Sequence, residues 1–160
     1  MSIKAGERMP DGKFKTMTDK GPTDLSTAQL FDGKRVVLFS VPGAFTPTCD
    51  AKHLPGFVQL AEQLRGKGVD TIACMAVNDV FVMNAWGKAS HTDGKVLMLA
   101  DGNGDYARAL GLEMDGKAFG LGMRGQRFAI VVDRGIATHV NIEAPGQFKV
   151  SAAEAVLAQL

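Results

Sequence analysis

The chain has 160 residues, 46% of them hydrophobic, and a net charge of +1, which is the size and composition of one ordinary globular domain. Its basic residues are scattered, which argues against nucleic-acid partners, and no apolar run approaches the ~18 residues that a membrane span needs. It has two cysteines and an N-terminus without the apolar core of a signal peptide. We therefore expect a soluble protein of a reducing compartment, most simply the cytoplasm.

Apolar runs and helical patterns alternate along the chain. The first 30 residues, rich in glycine, lysine and threonine, are expected to form a small N-terminal hairpin. Buried strands are predicted at residues 35–40, 69–77 and 95–99, and a hairpin at 128–132 and 136–140. Helices are predicted at residues 54–64, 80–89, 106–110 and 151–160. In the last helix, Ser151 is the expected N-cap and Glu154 completes a capping box.

This order of elements indicates an α/β fold with a central mixed β-sheet flanked by helices and an N-terminal hairpin extension. There is no linker, repeat or low-complexity stretch. Residues 1–160 are therefore predicted to form a single domain.

The segment SVPGAFTPTC at residues 40–49 follows the first buried strand and carries one cysteine. With Thr46 as N-cap, Pro47 takes the first helical position, where proline fits best, and Cys49 lies in the first turn. Free backbone amides and the positive end of the helix dipole favour the thiolate form there. Pro55 removes a backbone hydrogen bond and is expected to kink the helix, so the turn with Cys49 is predicted to unravel easily.

The chemistry of this turn depends on the residue three positions before the cysteine. A thiol–disulfide exchange protein has a cysteine there, whereas this chain has Thr46. A lowered pKa does not by itself make a thiol a good catalyst, because the nucleophilicity of the thiolate falls as its basicity falls. A hydroxyl cannot resolve a disulfide, but it can hold an atom that the sulfur attacks. Cleavage of an O–O bond needs such groups, because donors must stabilise the leaving oxygen as charge develops.

Several segments resemble one known family. The stretch at residues 42–49 contains the P-x-x-x-[TS]-x-x-C signature of peroxiredoxins. The similarity extends from about residue 3 to the C-terminus and narrows to the Prx5 (atypical, type II) subfamily, in a bacterial type without the C-terminal resolving cysteine. The matching segments are VPGAFTPTC (41–49), HLPGF (53–57), VND (77–79), FV (81–82), AWG (85–87) and RFAIVVD (127–133).

The resemblance implies a thioredoxin-like fold and thiol-dependent reduction of hydrogen peroxide and organic hydroperoxides, with no metal or other cofactor. Cys49 matches the peroxidatic nucleophile and Pro42 the residue that shields it. Thr46 matches the hydroxyl that positions peroxide, and Arg127 the arginine that stabilises the thiolate and the transition state. The subfamily commonly forms dimers with active sites near the interface, so a homodimer is expected.

The resemblance also implies a substrate pocket bordered by Thr48, Phe119 and Leu121, although the glycines around Leu121 depart from some members. Arg124 lies three residues before Arg127, and spacing alone leaves either arginine open for the site. The match of RFAIVV to the arginine strand of the family favours Arg127. A guanidinium held by a strand can reach a site with its planar group in a fixed orientation.

Attack on peroxide leaves a sulfenic acid, which a second thiol must reduce. Residues 148–153 contain no cysteine, and Cys74 lies within an apolar strand, where a structural role is favoured. We therefore expect a one-cysteine mechanism with an external reductant such as glutathione, glutaredoxin or thioredoxin.

Other readings of the sequence are weaker. Taken by position alone, Cys49 could be a small buried hydrophobe, and a non-catalytic thioredoxin-fold binding or chaperone module is the alternative function. The G-x-G-x-x-G match at residues 120–125 leads into a strand rather than a helix. His53, His91 and His139 are too dispersed for a metal site. His53, four residues after Cys49, is open to contact with the surroundings of the thiolate, but interpretation as a helix-face residue with structural contacts is favoured.

Overall fold

A seven-stranded mixed sheet forms the centre of the protein, seen in a computed structural model that describes all 160 residues. Its strands are β1 (Lys13–Thr18), β2 (Gly21–Ser26), β3 (Arg35–Ser40), β4 (Thr71–Ala76), β5 (Leu97–Ala100), β8 (Phe128–Asp133) and β9 (Ile136–Ile142). A separate two-stranded sheet is formed by β6 (Glu113–Asp115) and β7 (Met123–Gly125). The helices are α1 (Thr27–Phe31), α2 (Leu54–Gln59), α3 (Ala61–Gly66), α4 (Val80–Ala89), α5 (Asp105–Leu110) and α6 (Ala153–Ala158). A π-helical turn at Cys49–His53 and a 3₁₀ turn at Lys117–Phe119 complete the set.

The large sheet has the strand order β2-β1-β5-β4-β3-β8-β9. Its central strands β3, β4 and β5 are parallel, and antiparallel hairpins, β1–β2 and β8–β9, close the two edges. The N-terminal hairpin and the mixed sheet are therefore confirmed. No helix is long and apolar enough to pass through a bilayer.

Both faces of the sheet are covered, which explains why the central strands read as continuous apolar runs. Alternate residues of β3 enter different cores: Val37 and Phe39 pack with Cys74, whereas Val36 and Leu38 pack on the opposite face. Every residue of β3 after Arg35 is buried, so this strand is a rigid base for the loop that follows it.

Two helix predictions were wrong in detail. Residues 54–64 form two helices rather than one, because the backbone of Leu60 (φ −96°, ψ 8°) leaves helical geometry. Phe57, Ala61 and Leu64 keep their buried spacing through the break, which hid it from the sequence pattern. The last helix begins after Ala152, without a side-chain cap, because the Ser151 hydroxyl donates to Glu143 instead.

Candidate active site

The loop that follows β3 and leads to Cys49 packs closely against Arg124 and Asn78. Gly43 allows the close approach, since a Cβ atom there would lie 2.8 Å from the Nη1 atom of Arg124. The Ala44 amide donates to the Oδ1 atom of Asn78 at 2.9 Å. Phe45 adopts a left-handed backbone (φ 63°), a costly conformation for a residue other than glycine. The loop is therefore held by contacts that outweigh this strain.

Cys49 begins a π-helical turn. Pro47 and Thr48 are already helical, so proline occupies the first helical position as predicted. Pro55 has no amide to continue the regular ladder, and the Leu54 amide bonds back five residues to the carbonyl of Cys49. The irregularity predicted at Pro55 is thus a π-helical turn that carries the cysteine.

Thr46 precedes this turn but does not cap it with its side chain. Its carbonyl accepts from the Asp50 amide at 2.8 Å, whereas its hydroxyl donates to the carbonyl of Gly43 at 2.6 Å. Thr46 is therefore the N-cap by position, as predicted, although its hydroxyl makes no capping hydrogen bond. With its proton so engaged, the hydroxyl has its lone pairs free to accept a hydrogen bond from a bound molecule.

Arg127 meets the sulfur of Cys49. In the register of β3 and β8, Ser40 lies opposite Phe128, so Arg127 lies beyond the carboxyl end of β3, where the cysteine loop begins. Its Nη2 atom donates to the Sγ atom of Cys49 at 3.1 Å. Cys49 is fully buried in this state. A guanidinium at this distance stabilises a thiolate, and it can also donate to an oxygen atom beside the sulfur.

The other side of the Arg127 fork contacts His53. The Nη1 atom lies 2.8 Å from the Nδ1 atom of His53, and the Phe148 ring centroid lies 5.8 Å from the guanidinium carbon. His53 is fully buried, and its Nε2 atom lies 2.9 Å from the carbonyl oxygen of Ser151. Burial first, and then the charge of Arg127, lower the pKa of His53 to about 3.

Glu143 anchors the segment that His53 contacts. Its Oε2 atom accepts from the amides of Lys149 and Ser151, at 2.7 and 2.8 Å, and from the Ser151 hydroxyl at 2.7 Å. Burial opposes ionisation of this carboxyl group, but the hydrogen bonds outweigh it and lower the pKa of Glu143. The carboxylate therefore holds residues 149–151 beside the imidazole.

A second contact ties the cysteine turn to α4. The indole Nε1 atom of Trp86 donates to the Oδ1 atom of Asp50 at 2.8 Å. Trp86 is fully buried, whereas Asp50 is exposed on the turn. The turn is thus joined to α4 through Asp50 and to the segment before α6 through His53.

Arg124 contacts the same loop at a different place. Its Nη1 atom donates to the carbonyl of Pro42 at 3.2 Å, and its Nε atom donates to the carbonyl of Leu121 at 2.8 Å. Arg127, and not Arg124, donates to the Cys49 sulfur. Arg124 instead joins the predicted shielding residue to the loop at residues 119–122.

The structure brings the predicted catalytic residues together more closely than the predicted pocket residues. Cys49 and Arg127 are in direct contact, and Pro42 and Thr46 lie in the loop before the cysteine. Of the predicted pocket residues, Thr48 is partly buried beside Cys49, and Leu121 reaches Pro42 through Arg124. Phe119 is 82% exposed, in the 3₁₀ turn.

On the far side of Arg127, sequence reasoning missed Ser151 and Glu143, whereas it had left open a contact of His53 with the surroundings of Cys49. His53 was interpreted as a helix-face residue with structural contacts, and it does contact Ser151. Its position four residues after Cys49, one helical turn away, was the available signal for its approach to the site. Nothing near Glu143 in the sequence points to the cysteine.

The lowered pKa of His53 predicts a pH effect on stability. Unfolded His53 takes up a proton below its ordinary pKa of 6.5, but folded His53 does so only near 3, so stability falls as pH falls through this window. Between pH 7.5 and 4.5 we expect wild type to lose roughly 2 to 3 kcal/mol more than His53→Asn, measured by urea unfolding. His91→Asn is the control, since His91 is exposed and its left-handed backbone (φ 57°) suits asparagine. Equal losses in all three proteins would contradict the assignment.

Comparisons with known proteins identify the family. The chain matches the Redoxin family over residues 4–157. It is 46% identical to peroxiredoxin-2B of Arabidopsis thaliana over 159 residues, which cover 99% of this chain and 98% of the relative. It is 39% identical to the hybrid peroxiredoxin hyPrx5 of Haemophilus influenzae over 163 residues, 100% of this chain and 67% of that protein.

Solved structures agree with the sequence matches. Reduced Prx3 of Vibrio vulnificus in complex with hydrogen peroxide is 50% identical and superposes with a TM-score of 0.95 over 98% of both chains. Peroxiredoxin 5 of Alvinella pompejana is 35% identical, with a TM-score of 0.86 over 98% of this chain and 96% of that one. The fold is thus the thioredoxin-like fold of peroxiredoxins. The chain belongs to the Redoxin family and is a peroxiredoxin of the Prx5-like subfamily, a thiol peroxidase.

Proposed function

We propose that the protein reduces hydrogen peroxide and organic hydroperoxides through a sulfenic acid at Cys49 and that an external thiol recycles it. The observation that carries the proposal is the 3.1 Å contact between the Cys49 sulfur and the Nη2 atom of Arg127. The relative from Vibrio vulnificus, described in complex with hydrogen peroxide, supports the choice of substrate.

In the first step the Cys49 thiolate attacks the terminal oxygen of the hydroperoxide, the one that carries the hydrogen. An S–O bond forms, the O–O bond breaks, and the leaving alkoxide or hydroxide takes up a proton to give an alcohol or water. Arg127 stabilises the thiolate and the charge that develops on the oxygens. The lone pairs of Thr46 accept from the hydroperoxide O–H group and orient it, since the Thr46 proton is engaged with Gly43. Pro42 shields the sulfur from bulk water.

The pocket around this reaction has a proposed wall of Thr48, Phe119 and Leu121. Thr48 precedes the nucleophile, and Leu121 is tied to the Pro42 carbonyl through Arg124. Phe119, 82% exposed, offers an apolar surface for the organic group of a hydroperoxide.

The recycling step is proposed to use one protein cysteine. Cys74 is fully buried in β4, with β3 and β5 paired on either side. Burial raises the pKa of Cys74, with a further contribution from Cys49, and a resolving thiol must attack as the thiolate. An external thiol therefore condenses with the sulfenic acid, releasing water, and a second thiol frees Cys49. Glutathione, glutaredoxin and thioredoxin are the candidate reductants, and a reducing compartment such as the cytoplasm is the proposed location.

Single-turnover peroxide consumption tests the nucleophile. Without reductant, we expect wild type and Cys74→Ser to consume one peroxide per chain, with sulfenic acid detected by intact mass, and Cys49→Ser to consume none. Oxidation at the rate of an ordinary free thiol would favour the non-catalytic binding or chaperone module instead.

Steady-state turnover tests the recycling step. With glutathione and glutaredoxin, or with thioredoxin, we expect Cys74→Ser to turn over like wild type. Loss of turnover in Cys74→Ser, with oxidation of Cys49 intact, would contradict the one-cysteine mechanism and assign resolution to Cys74.

We further propose a homodimer. Phe45 and Phe81 are 48% and 63% exposed, and the Ala44–Asn78 hydrogen bond brings their segments together beside the cysteine loop. Exposed aromatic side chains next to a site are typical of an interface. In analytical ultracentrifugation we expect wild type to sediment as a dimer and Phe81→Glu as a monomer. Val150→Glu, at a 44% exposed apolar position before α6, is the control. A monomeric wild type would contradict the proposal.

A further inference from the structure

His53 lies between two groups whose hydrogen-bonding roles are fixed. Its Nδ1 atom is 2.8 Å from the Nη1 atom of Arg127, and its Nε2 atom is 2.9 Å from the carbonyl oxygen of Ser151. A guanidinium can only donate and a carbonyl can only accept. His53 therefore accepts at Nδ1 and donates from Nε2, which is a single neutral tautomer.

The imidazole is held in this position by Ser151 and Phe148. Glu143 accepts from both the amide and the hydroxyl of Ser151, which holds the carbonyl that His53 needs. The Phe148 ring packs edge-on against the imidazole, with 5.0 Å between ring centroids, and lies beside the guanidinium of Arg127. His53 itself is fully buried.

We propose that His53 is a positioning residue for peroxide reduction: its Nδ1 lone pair holds the Arg127 guanidinium in the orientation in which Nη2 meets the Cys49 sulfur. This inference rests on the proposed role of Arg127. Without the acceptor, the Nη1 donor loses its partner in a partly buried site, and the guanidinium turns toward another acceptor.

A neutral acceptor suits this task better than a carboxylate. A carboxylate at the position of Nδ1 pairs with the guanidinium and draws its charge away from the thiolate and the peroxide. The neutral imidazole fixes the direction of the fork and leaves the positive charge for the reacting atoms. The anionic group, the carboxylate of Glu143, accepts from Ser151 instead, and Glu143 contacts Arg127 only through its backbone amide, which donates to the Arg127 carbonyl at 3.0 Å.

Two substitutions test the Nδ1 acceptor and the Nε2 donor of His53 separately. In His53→Asn, the amide oxygen replaces Nδ1 and keeps an acceptor for Arg127, whereas the contact with Ser151 is lost. In His53→Gln, the amide nitrogen replaces Nε2 and keeps the donor to Ser151, whereas the acceptor for Arg127 is lost. The matched pair therefore tests the guanidinium contact apart from the contact that supports the fold.

The measurement is the second-order rate constant for reaction of Cys49 with hydrogen peroxide, together with the pH midpoint of Cys49 alkylation by iodoacetamide. We expect His53→Gln to react about 10- to 100-fold more slowly and its alkylation midpoint to move to higher pH. His53→Asn should retain most of the rate and the wild-type midpoint. Urea unfolding of both variants reports stability separately.

The outcomes distinguish this inference from the proposed function. A merely structural histidine predicts that both variants lose stability while the rate and the alkylation midpoint of the folded protein stay at wild type, which overturns the inference. Equal slowing in Asn and Gln, with no difference in midpoint, also overturns it. Arg127→Met, measured in parallel, tests the underlying role: if it reacts slowly and His53→Gln does not, only the positioning role fails.

Discussion

Replacing Arg127 with methionine should lower kcat/KM for hydrogen peroxide by about 100- to 1,000-fold, the effect of removing one preorganised donor from a reacting oxyanion. The substitution keeps an apolar stem of similar length but removes the donor that lies 3.1 Å from the Cys49 sulfur. Stopped-flow consumption of peroxide by the reduced protein measures the loss. Because the proposed role of the guanidinium includes the charge that develops on the oxygens, the defect should persist at a pH where the thiol is fully ionised.

Two further variants make this result specific. Arg127→Lys keeps the charge but not the planar fork, so it should fall between wild type and methionine. Arg134→Met serves as the control, since Arg134 is exposed in the turn between β8 and β9 and pairs only with the neighbouring Asp133. If Arg127→Met reacts as fast as Arg134→Met, the guanidinium has no part in the chemistry.

Replacing Thr46 with valine should lower the same rate constant by about 100-fold, because valine keeps the shape and removes the hydroxyl. In the folded protein this hydroxyl donates to the carbonyl of Gly43 at 2.6 Å, which leaves its lone pairs free to accept from the hydroperoxide in the proposed mechanism. Stopped-flow rates for hydrogen peroxide and an organic hydroperoxide measure the change.

The matched variant for this test is Thr46→Ser, which restores the hydroxyl without the methyl group. We expect its rate constant to lie within about threefold of wild type, since it keeps the same acceptor. A valine variant as fast as serine would show that peroxide does not use this hydroxyl. A serine variant as slow as valine would show that the hydroxyl alone is not sufficient and that the Thr46 methyl group, which lies beside Gly43, is also required.

The elements that could be predicted are those whose cause is local. Residues 35–40 form a strand and residues 80–89 a helix, because apolar runs, an Asp79 side-chain cap and turn residues all lie within a few positions. The β8–β9 hairpin was also predictable from its turn at residues 133–135. In contrast, Ser151 was predicted to cap the last helix, but its hydroxyl donates to the carboxylate of Glu143, which follows β9.

The sequence by itself determined the reactive turn: the Pro-Gly loop, Thr46, the Pro47 start and Cys49 lie within eight residues, so their spacing is set by the chain. Only the tertiary structure decided what surrounds the sulfur. Pairing of β8 with β3 brings Arg127 to Cys49 across 78 residues of sequence, and folding brings Ser151 to His53 across 98. Such contacts depend on the register between strands and on the hydrogen-bond partners of buried polar groups. A local sequence pattern predicts neither the register nor these partners.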